Sequence, residues 1–471
     1  MNNLSKNYIN GQWVTWAGDT IDVHEAGTGD VIARVPASDR EQMEQAIAAA
    51  DAAFGIWSES TLDQRIKVLE QLHAGLKERA GEIAETVCRE VGMPIKLATG
   101  IQAGLPATVT KSYLTMLPDF PFAEQSGNSE VQKAPVGVVG CITPWNYPLH
   151  QVILNIVPAI AAGCTVVLKP SEIAPQSAYI LADILDGTDL PKGVFNLVCG
   201  EGQTVGDTLI KHSDVRMVSF TGSPRTGHLI AHAAADDFKR IALEMGGKSA
   251  SVILPDADLG AAVKGTVNNC LLNSGQTCTA LTRMLVPADR HDEACELAAA
   301  AVAKMTPGNP LEETTRLGPL ASAQQRDKVI DYIRLGIEEG HTLVAGGPEA
   351  PEGCDKGYFV KATVFGNVKP DSRLAQEEIF GPVLCVIPYN DEAEAIRIAN
   401  GTPYGLSGAV WSGDADKAKK VASKLRTGQV FVNGGAFNPA APFGGFGHSG
   451  IGREFGKWGL EEFLEVRSLQ L

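Results

Sequence analysis

Apolar residues recur at helical spacing over the first third of the chain. Between residues 41 and 57 they occupy Met43, Ala46, Ile47, Ala50, Phe54 and Trp57, and residues 62–76 repeat the pattern. Steps of three and four residues are typical of a helix that packs one face on a core. We therefore expect this third of the chain to be helical and to end near a loop at residues 117–127.

Short runs rich in β-branched residues replace the helical pattern from residue 136 onwards. Each run is followed by turn residues and then by a stretch with helical spacing. The first set comprises residues 136–142, 165–168, 194–198 and 217–220. Buried strands that alternate with helices predict an α/β fold with a doubly wound parallel sheet. Because ligands bind beyond the carboxyl ends of such strands, the residues that follow them are candidates for chemistry.

A second set of strand-like runs predicts a second α/β domain. The runs are residues 250–254, 283–286, 342–345, 383–389, 407–411 and 429–432. Residues 462–471 alternate in polarity, which predicts a terminal strand. Such a strand needs a pairing partner, and we expect a neighbouring subunit to supply it.

Charge and cysteine content narrow the classes of function. The 471 residues include 40 Lys and Arg against 55 Asp and Glu, a net charge of −15, which disfavours binding to nucleic acid or to a membrane surface. The first residues lack the apolar core of a signal peptide, and the nine cysteines are scattered. We expect a cytoplasmic protein with free thiols and no metal site.

Three separate segments carry residues suited to covalent chemistry. Cys278 follows the turn-prone sequence Asn-Ser-Gly on a polar loop, and a thiolate attacks carbonyl carbon readily. Glu244 precedes two glycines, which allow a ligand to approach closely. Asn146 follows a predicted strand, and its amide can donate to an oxygen that becomes negative. Taken singly, each residue also has an ordinary explanation. Cys278 could be an incidental loop thiol, Glu244 a surface carboxylate and Asn146 a turn residue.

Two further loops could bind a nucleotide. Residues 169–172, Lys-Pro-Ser-Glu, follow one predicted strand, and residues 221–227 follow another and precede a helix. A carboxylate after a strand can accept from ribose hydroxyls, and a helix N-terminus favours phosphate. The second loop lacks the G-x-G-x-x-G pattern, so ordinary strand-to-helix turns explain both loops as well.

In combination these segments resemble the aldehyde dehydrogenase superfamily. The motifs PWN, VLKPSE, SFTGS, EMGGK, GQTC, EEIFGPV and PFGGFGHSGIGRE occur in the family's order and at similar spacing over nearly the whole chain. The resemblance implies that Cys278 is the nucleophile, Glu244 the general base and Asn146 the oxyanion donor. It implies oxidation of an aldehyde to an acid through a thioester that water hydrolyses.

The same resemblance implies a nicotinamide dinucleotide site. The matching cofactor positions are Trp145, Lys169, Ser171, Glu172, Gly222, Ser223, Glu378 and Phe380. Glu172 favours NAD, because its carboxylate bonds the ribose 2′-hydroxyl and repels a 2′-phosphate. Lys169 softens that repulsion, so NADP stays open as a less favoured cofactor.

Substrate preference is inferred from positions that line the pocket in this family. Here they are Tyr147, Gln151, Leu154, Thr277, Thr279, Phe437 and Phe443. The set is mostly apolar and offers no Arg or Lys to a carboxylate. Leu154 replaces a Trp found in some members. We therefore expect an apolar, aromatic or medium-chain aldehyde.

The resemblance also implies a domain organisation and an assembly. We expect an NAD-binding domain at residues 1–119 and 134–246 and a catalytic domain at 247–450. Residues 120–133 and 460–471 would form an arm that pairs subunits into a homodimer or homotetramer. Two alternatives stay open: a CoA-acylating dehydrogenase, and a non-catalytic structural protein that keeps the fold.

Overall fold

The computed structural model describes residues 4–471, which fold into mixed sheets and helices. The strands are β1 Lys6–Ile9, β2 Gln12–Thr15, β3 Thr20–His24, β4 Val31–Pro36, β5 Ala123–Ser126, β6 Ser129–Pro135, β7 Val138–Ile142, β8 Thr165–Lys169, β9 Phe195–Leu197, β10 Val215–Gly222, β11 Arg240–Met245, β12 Ala250–Ile253, β13 Arg283–Pro287, β14 Thr342–Ala345, β15 Thr363–Gly366, β16 Val383–Tyr389, β17 Ser407–Trp411, β18 Gln429–Val432, β19 Gly450–Ile451 and β20 Leu464–Gln470. The helices are α1 Arg40–Ser58, α2 Leu62–Glu78, α3 Ala80–Val91, α4 Ile95–Leu97, α5 Gly104–Met116, α6 Pro148–Ala162, α7 Gln176–Asp186, α8 Asp207–Lys211, α9 Pro224–Ala235, α10 Leu259–Cys270, α11 His291–Val302, α12 Ala323–Glu338, α13 Arg373–Gln376, α14 Glu392–Ala399, α15 Ala415–Ala422 and α16 Gly456–Glu461.

The first sheet has eight strands in the order β19-β11-β10-β7-β8-β9-β1-β2. Strands β7 to β11 are parallel to their neighbours within this set, whereas β1, β2 and β19 are antiparallel additions. The chain runs from β7 to β8 and β9 in one direction and then continues with β10 on the other side of β7. Strand order therefore reverses between β7 and β10, the place where a doubly wound sheet opens a crevice for a ligand.

The second sheet has seven strands in the order β14-β15-β16-β13-β12-β17-β18, and all but β14 pair in parallel. The expected α/β class with parallel sheets is thus confirmed. The chain changes from the first sheet to the second between Met245 and Ala250. The domain boundaries themselves stay a prediction.

The terminal strand forms as expected, but its partner lies in its own chain. β20 pairs antiparallel with β6 from Leu464 opposite Pro135 to Gln470 opposite Ser129, and β5 completes a three-stranded sheet. Residues 129–133 belong to the expected arm, so this pairing joins the two parts of that arm, and its pairing with a neighbouring subunit stays a prediction. The pairing spans more than 300 residues of sequence, which strand periodicity alone cannot reveal.

The expectation of an entirely helical first third is wrong for residues 6–36, which form β1 to β4. The turn between β1 and β2 is Asn10-Gly11, with φ of 50° and 68°. Asn-Gly at such angles is the preferred two-residue turn of a hairpin. That signal was present, but the strands beside it are only four residues long and partly exposed, so their periodicity is weak.

The predicted helices of the remaining first third are confirmed. In α1 the buried face contains Met43, Ile47 and Trp57, and Asp39 caps the N-terminus by accepting from the Gln42 amide. Helix α6 is different because all of its residues are buried, and it begins with Pro148 at its first position. A helix hydrophobic all round lies inside a protein. Among residues 4–471, no helix is long and apolar enough to cross a bilayer.

Arg283, at the start of β13, is a buried anchor and gives a test of the fold. Its side chain is 1% exposed and donates to the carbonyl oxygens of Lys248, Ile398 and Ala399, each at 2.8 Å. We predict that Arg283→Met lowers the free energy of unfolding by roughly 3 kcal/mol, because three buried carbonyls lose their donor. Differential scanning fluorimetry would measure the lower Tm.

The matched control is Arg334→Met on α12. Arg334 is exposed, and within residues 4–471 its ion pair is with Asp331, at 3.4 Å. Exposed ion pairs contribute about 0–1 kcal/mol, so this variant should melt close to the unmodified chain. Equal melting temperatures for both variants would contradict the anchoring role of Arg283.

Candidate active site

The strand register brings four loops to one edge of the first sheet. Phe220 of β10 lies opposite both Ile142 of β7 and Leu243 of β11, and Ile142 lies opposite Lys169 of β8. The segments that follow these strands therefore leave the sheet side by side. Asn146, Glu172, Ser223 and Glu244 all lie on or next to these segments.

The segment before Cys278 has an uncommon backbone conformation. Asn273, Ser274 and Gly275 follow one another with φ of 52°, 55° and 75°. This left-handed region costs a residue other than glycine about 1–2 kcal/mol. A Cβ on Gly275 would lie 2.1 Å from the Gly381 carbonyl oxygen, so only glycine fits there. The tight turn lets residues 276–278 approach the first sheet.

A hydrogen bond connects this segment to Asn146. The Asn146 Nδ2 donates to the Gln276 carbonyl at 3.0 Å, and the Asn146 carbonyl accepts from Asn273 Nδ2 at 3.0 Å and from Gln102 Nε2 at 2.9 Å. Asn146 is buried, so its orientation is fixed. An amide nitrogen carries two N–H groups, and one stays free for a substrate oxygen.

A polar cleft of about 190 Å³ opens where the first sheet reverses its strand order. Eight of the residues predicted for catalysis or cofactor binding line it: Trp145, Asn146, Gly222, Ser223, Glu244, Cys278, Glu378 and Phe380. The Trp145 and Phe380 rings pack edge to face at 5.4 Å. Ser223 caps α9, and its Oγ accepts from the Thr226 amide at 3.3 Å. The cleft thus combines aromatic walls with a helix N-terminus, a combination suited to a nucleotide.

A larger, mostly apolar tunnel of about 610 Å³ reaches Cys278 from another direction. It is lined by all seven residues predicted for the substrate pocket: Tyr147, Gln151, Leu154, Thr277, Thr279, Phe437 and Phe443. The Tyr147 hydroxyl and Thr277 Oγ1 are hydrogen-bonded at 2.7 Å. Lysine and arginine are absent from the residues that line this tunnel within the described part of the chain.

Cys278 lies in the wall of both cavities. Among the residues the structure describes, Gln151 and Phe443 are the only others that line both. The remaining predicted residues, Lys169, Ser171 and Glu172, line neither cavity. They lie at the carboxyl end of β8, where Lys169 Nζ donates to Glu172 Oε2 at 2.9 Å. The structure therefore gathers the predicted catalytic residues but sets this loop apart from them.

Burial, and after it the neighbouring carboxyl groups, determine the electrostatics around Cys278. Burial raises the pKa of the Cys278 thiol, and the charges of Glu244, Glu378 and Glu454 raise it further. Burial also raises the pKa of Glu244, with Glu454 as the next cause. Neither carboxylate oxygen of Glu244 has a hydrogen-bond partner among the described residues. The carboxyl group is therefore available to a water molecule or a substrate.

The structure adds residues that the sequence analysis did not single out. Glu454 is buried, and burial raises its pKa to about 8. It stands in the motif GIGRE, which was recognised without a role for this residue. Gln325 and Lys328 of α12 line the polar cleft, and His150 and Phe455 line the tunnel. His150 lies at the third position of α6, directly after the PWN motif, and this closeness in sequence could have suggested a common site.

Comparisons with known proteins agree with this geometry. A sequence profile described as the aldehyde dehydrogenase family matches residues 13–469. A 3-succinoylsemialdehyde-pyridine dehydrogenase from a Pseudomonas species is 48% identical over 466 residues, covering 98% of this chain and 97% of that protein.

Solved structures are similar over the whole chain. A mutant aldehyde dehydrogenase C from Pseudomonas syringae, in complex with NAD+ and octanal, superposes with a TM-score of 0.98 at 42% identity, covering 99% of this chain and 97% of that one. A Mycobacterium tuberculosis aldehyde dehydrogenase in complex with NAD+ gives 0.97 at 39% identity, with 99% and 98% covered.

The raised thiol pKa predicts an unusual labelling profile for Cys278. In the ligand-free protein, we expect iodoacetamide to label Cys278 slowly at pH 7. The labelling rate should rise only at a pH above about 8.5, which is the pKa of an ordinary cysteine thiol. Peptide mass spectrometry across pH would give the rate at this position alone. Glu244→Gln removes a negative neighbour, so its profile should move to lower pH. Rapid labelling at pH 7, or an unmoved profile in the variant, would contradict this electrostatic description.

Proposed function

The chain belongs to the aldehyde dehydrogenase family, and we propose that it oxidises an aldehyde to a carboxylic acid with NAD through a thioester on Cys278 that water hydrolyses. One observation carries the proposal: the Cys278 thiol lies where the polar cleft meets the apolar tunnel. A cofactor in the cleft and an aldehyde in the tunnel would meet at this sulfur. Positioning of this kind supplies much of the rate enhancement of enzymes.

The polar cleft fits a nicotinamide dinucleotide. The N-terminus of α9 beside Ser223 suits the pyrophosphate. Glu378, which accepts from the Gly247 amide at 3.0 Å, suits the nicotinamide ribose. A Cβ on Gly246 would lie 2.1 Å from the Glu378 carboxylate, so glycine is needed there to leave that carboxylate its position. We assign the Trp145 and Phe380 rings and Gly222 to the walls of the same site.

We assign the adenine ribose to Lys169, Ser171 and Glu172. The Lys169 ammonium is buried and already pairs with Glu172 Oε2 and the Pro170 carbonyl, both at 2.9 Å. A 2′-phosphate would meet the Glu172 carboxylate and a cation that is already neutralised. NAD is therefore favoured over NADP, and NADP use at reduced efficiency is compatible with the same residues.

The reaction follows from the residues around Cys278. The thiolate bonds to the aldehyde carbon, and the carbonyl electron pair moves to oxygen, where the free Asn146 N–H and the Cys278 backbone N–H stabilise the negative charge. Bound NAD supplies the hydride acceptor. After hydride loss a thioester joins Cys278 to the acyl group. Glu244 then takes a proton from water as the water attacks the acyl carbon, and the sulfur leaves with its electron pair.

We propose an apolar substrate, either aromatic or of medium chain length. The tunnel supports this with Leu154, Phe437 and Phe443 in its wall and with a volume of about 610 Å³, within the range usual for small-molecule pockets. Two relatives point the same way. One is named for a semialdehyde that bears pyridine, and the other was crystallised with octanal.

We also propose that the protein is a cytoplasmic homodimer or homotetramer. The sheet of β5, β6 and β20 supports assembly, because its outer strands have unpaired edges and it exposes Val466 and Leu469. The scattered free cysteines support a reducing compartment.

The test of the proposed function is product analysis with a panel of aldehydes. The purified protein is incubated with hexanal, octanal, benzaldehyde and succinic semialdehyde, with NAD or NADP, with and without CoA. We expect NADH and the free acid, faster with NAD and unaffected by CoA. Cys278→Ala should fold and be inactive. Acyl-CoA as the main product, a strong preference for succinic semialdehyde, or activity in Cys278→Ala would each contradict the corresponding part of the proposal.

Removing the general base should separate the two halves of the reaction. We predict that Glu244→Gln gives a burst of about one NADH per active site, followed by a steady rate lowered by roughly 10²-fold or more, because water attack loses its base. Stopped-flow absorbance at 340 nm would record both phases. Unimpaired steady turnover would contradict the role of Glu244, and Cys278→Ala should abolish the burst.

A further inference from the structure

His150 is a buried polar residue that lines the tunnel. It occupies the third position of α6, is 6% exposed and lines the tunnel that leads to Cys278. Its Nδ1 is enclosed by protein and has no hydrogen-bond partner within residues 4–471, whereas Nε2 is the ring nitrogen that keeps accessible surface. Because buried polar groups are normally hydrogen-bonded, an imidazole that lines a ligand cavity without a protein partner within residues 4–471 indicates that a ligand bonds it, and Nε2 is the nitrogen within reach.

Other buried polar side chains of the tunnel already have partners. Tyr147 and Thr277 bond each other at 2.7 Å, and Gln151 Oε1 accepts from Thr221 Oγ1 at 3.4 Å. Their hydrogen bonds keep these side chains in place within the protein. His150 instead keeps its hydrogen-bonding capacity for a molecule in the tunnel.

The surroundings of His150 are aromatic. The Phe455 ring centre lies 5.8 Å from the imidazole, 5.6 Å from the Phe437 ring and 5.9 Å from the Phe443 ring. The two Phe pairs are close to perpendicular, at 71° and 70°. Such a group of rings offers both faces and edges to a further planar ring. Phe443 also borders the cleft, so this aromatic group extends to the reacting end of the tunnel.

The imidazole is uncharged in this environment. Burial lowers the pKa of His150 to about 3, so near neutral pH one ring nitrogen donates and the other accepts. A neutral imidazole does not attract a carboxylate, and the tunnel wall offers no lysine or arginine either. It can bond an uncharged heteroatom such as a ring nitrogen, a ketone oxygen or a phenol.

We propose that the tunnel selects aromatic aldehydes that carry an uncharged hydrogen-bonding heteroatom on or beside the ring, and that His150 is the specificity-determining residue that recognises it. The proposal deepens the proposed function and rests on aldehyde oxidation at Cys278. The aromatic group around Phe455 holds the ring, and His150 distinguishes a ring with a heteroatom from a hydrocarbon ring of the same shape.

The sharpest test compares 3-phenylpropanal with the three 3-pyridylpropanal isomers, which replace one ring CH by nitrogen. We expect the chain to prefer at least one pyridyl isomer by tenfold or more in kcat/KM. His150→Leu should reduce that preference to about one, and the readout is the ratio of the two kcat/KM values, not the activity with either substrate. His150→Gln, which keeps a donor and an acceptor, should restore part of the preference.

Leu154→Val is the matched control, because Leu154 lies one helical turn after His150 and lines the same tunnel. It should change phenyl and pyridyl substrates alike and leave their ratio intact. A preference that persists in His150→Leu, or that is absent from the unmodified chain for all isomers, would overturn the proposal.

A binding measurement keeps this test separate from catalysis. In Cys278→Ala, calorimetry with 3-pyridylpropanols and 3-phenylpropanol should show tighter pyridyl binding, and the additional change His150→Leu should remove the difference. If hexanal and every other aldehyde fail as substrates but this difference is found, the proposed function fails and the recognition by His150 stands. Equal binding of the two alcohols with His150 present would overturn the recognition.

Discussion

The hydrogen bond from Asn146 Nδ2 to the Gln276 carbonyl, at 3.0 Å, joins the loops of the two sheets at the proposed active site. Asn146 follows β7 of the first sheet, and Gln276 precedes β13 of the second. The tight left-handed turn at residues 273–275 makes this approach possible. Together with the bond that Asn273 Nδ2 donates to the Asn146 carbonyl at 3.0 Å, this contact holds the segment that leads to Cys278 against the loop that follows β7. The proposed oxyanion donor and the proposed nucleophile are thereby held on neighbouring segments.

Burial then determines the charge state of the site. A thiol surrounded by Glu244, Glu378 and Glu454 resists ionisation, and Glu244 resists it as well. Because both pKa values are raised, each group is more protonated at neutral pH than it is in water. The same burial that makes the groups hard to ionise also strengthens their electrostatic interactions with a bound substrate.

The sequence predicts the elements whose pattern is local and strong. Helix α1 follows from its apolar face and Asp39 cap, and the central parallel strands follow from short buried runs. The hairpin of β1 and β2 was not predicted, because strands of four residues show little periodicity in their sequence. Pairing of β20 with β6 and the roles open to Glu454 and His150 depend on contacts between distant segments. The gathering of Cys278, Glu244 and Asn146 was expected only through family resemblance, since each residue alone has an ordinary explanation.

We propose that Cys278 carries the acyl group between oxidation and hydrolysis. Peptide mass spectrometry of Glu244→Gln, quenched during turnover of octanal with NAD, tests this role most directly. We predict an octanoyl group on the peptide that contains Cys278, formed in step with the first equivalent of NADH. NADH formation without any acylated cysteine, or acylation of a different cysteine, would contradict it.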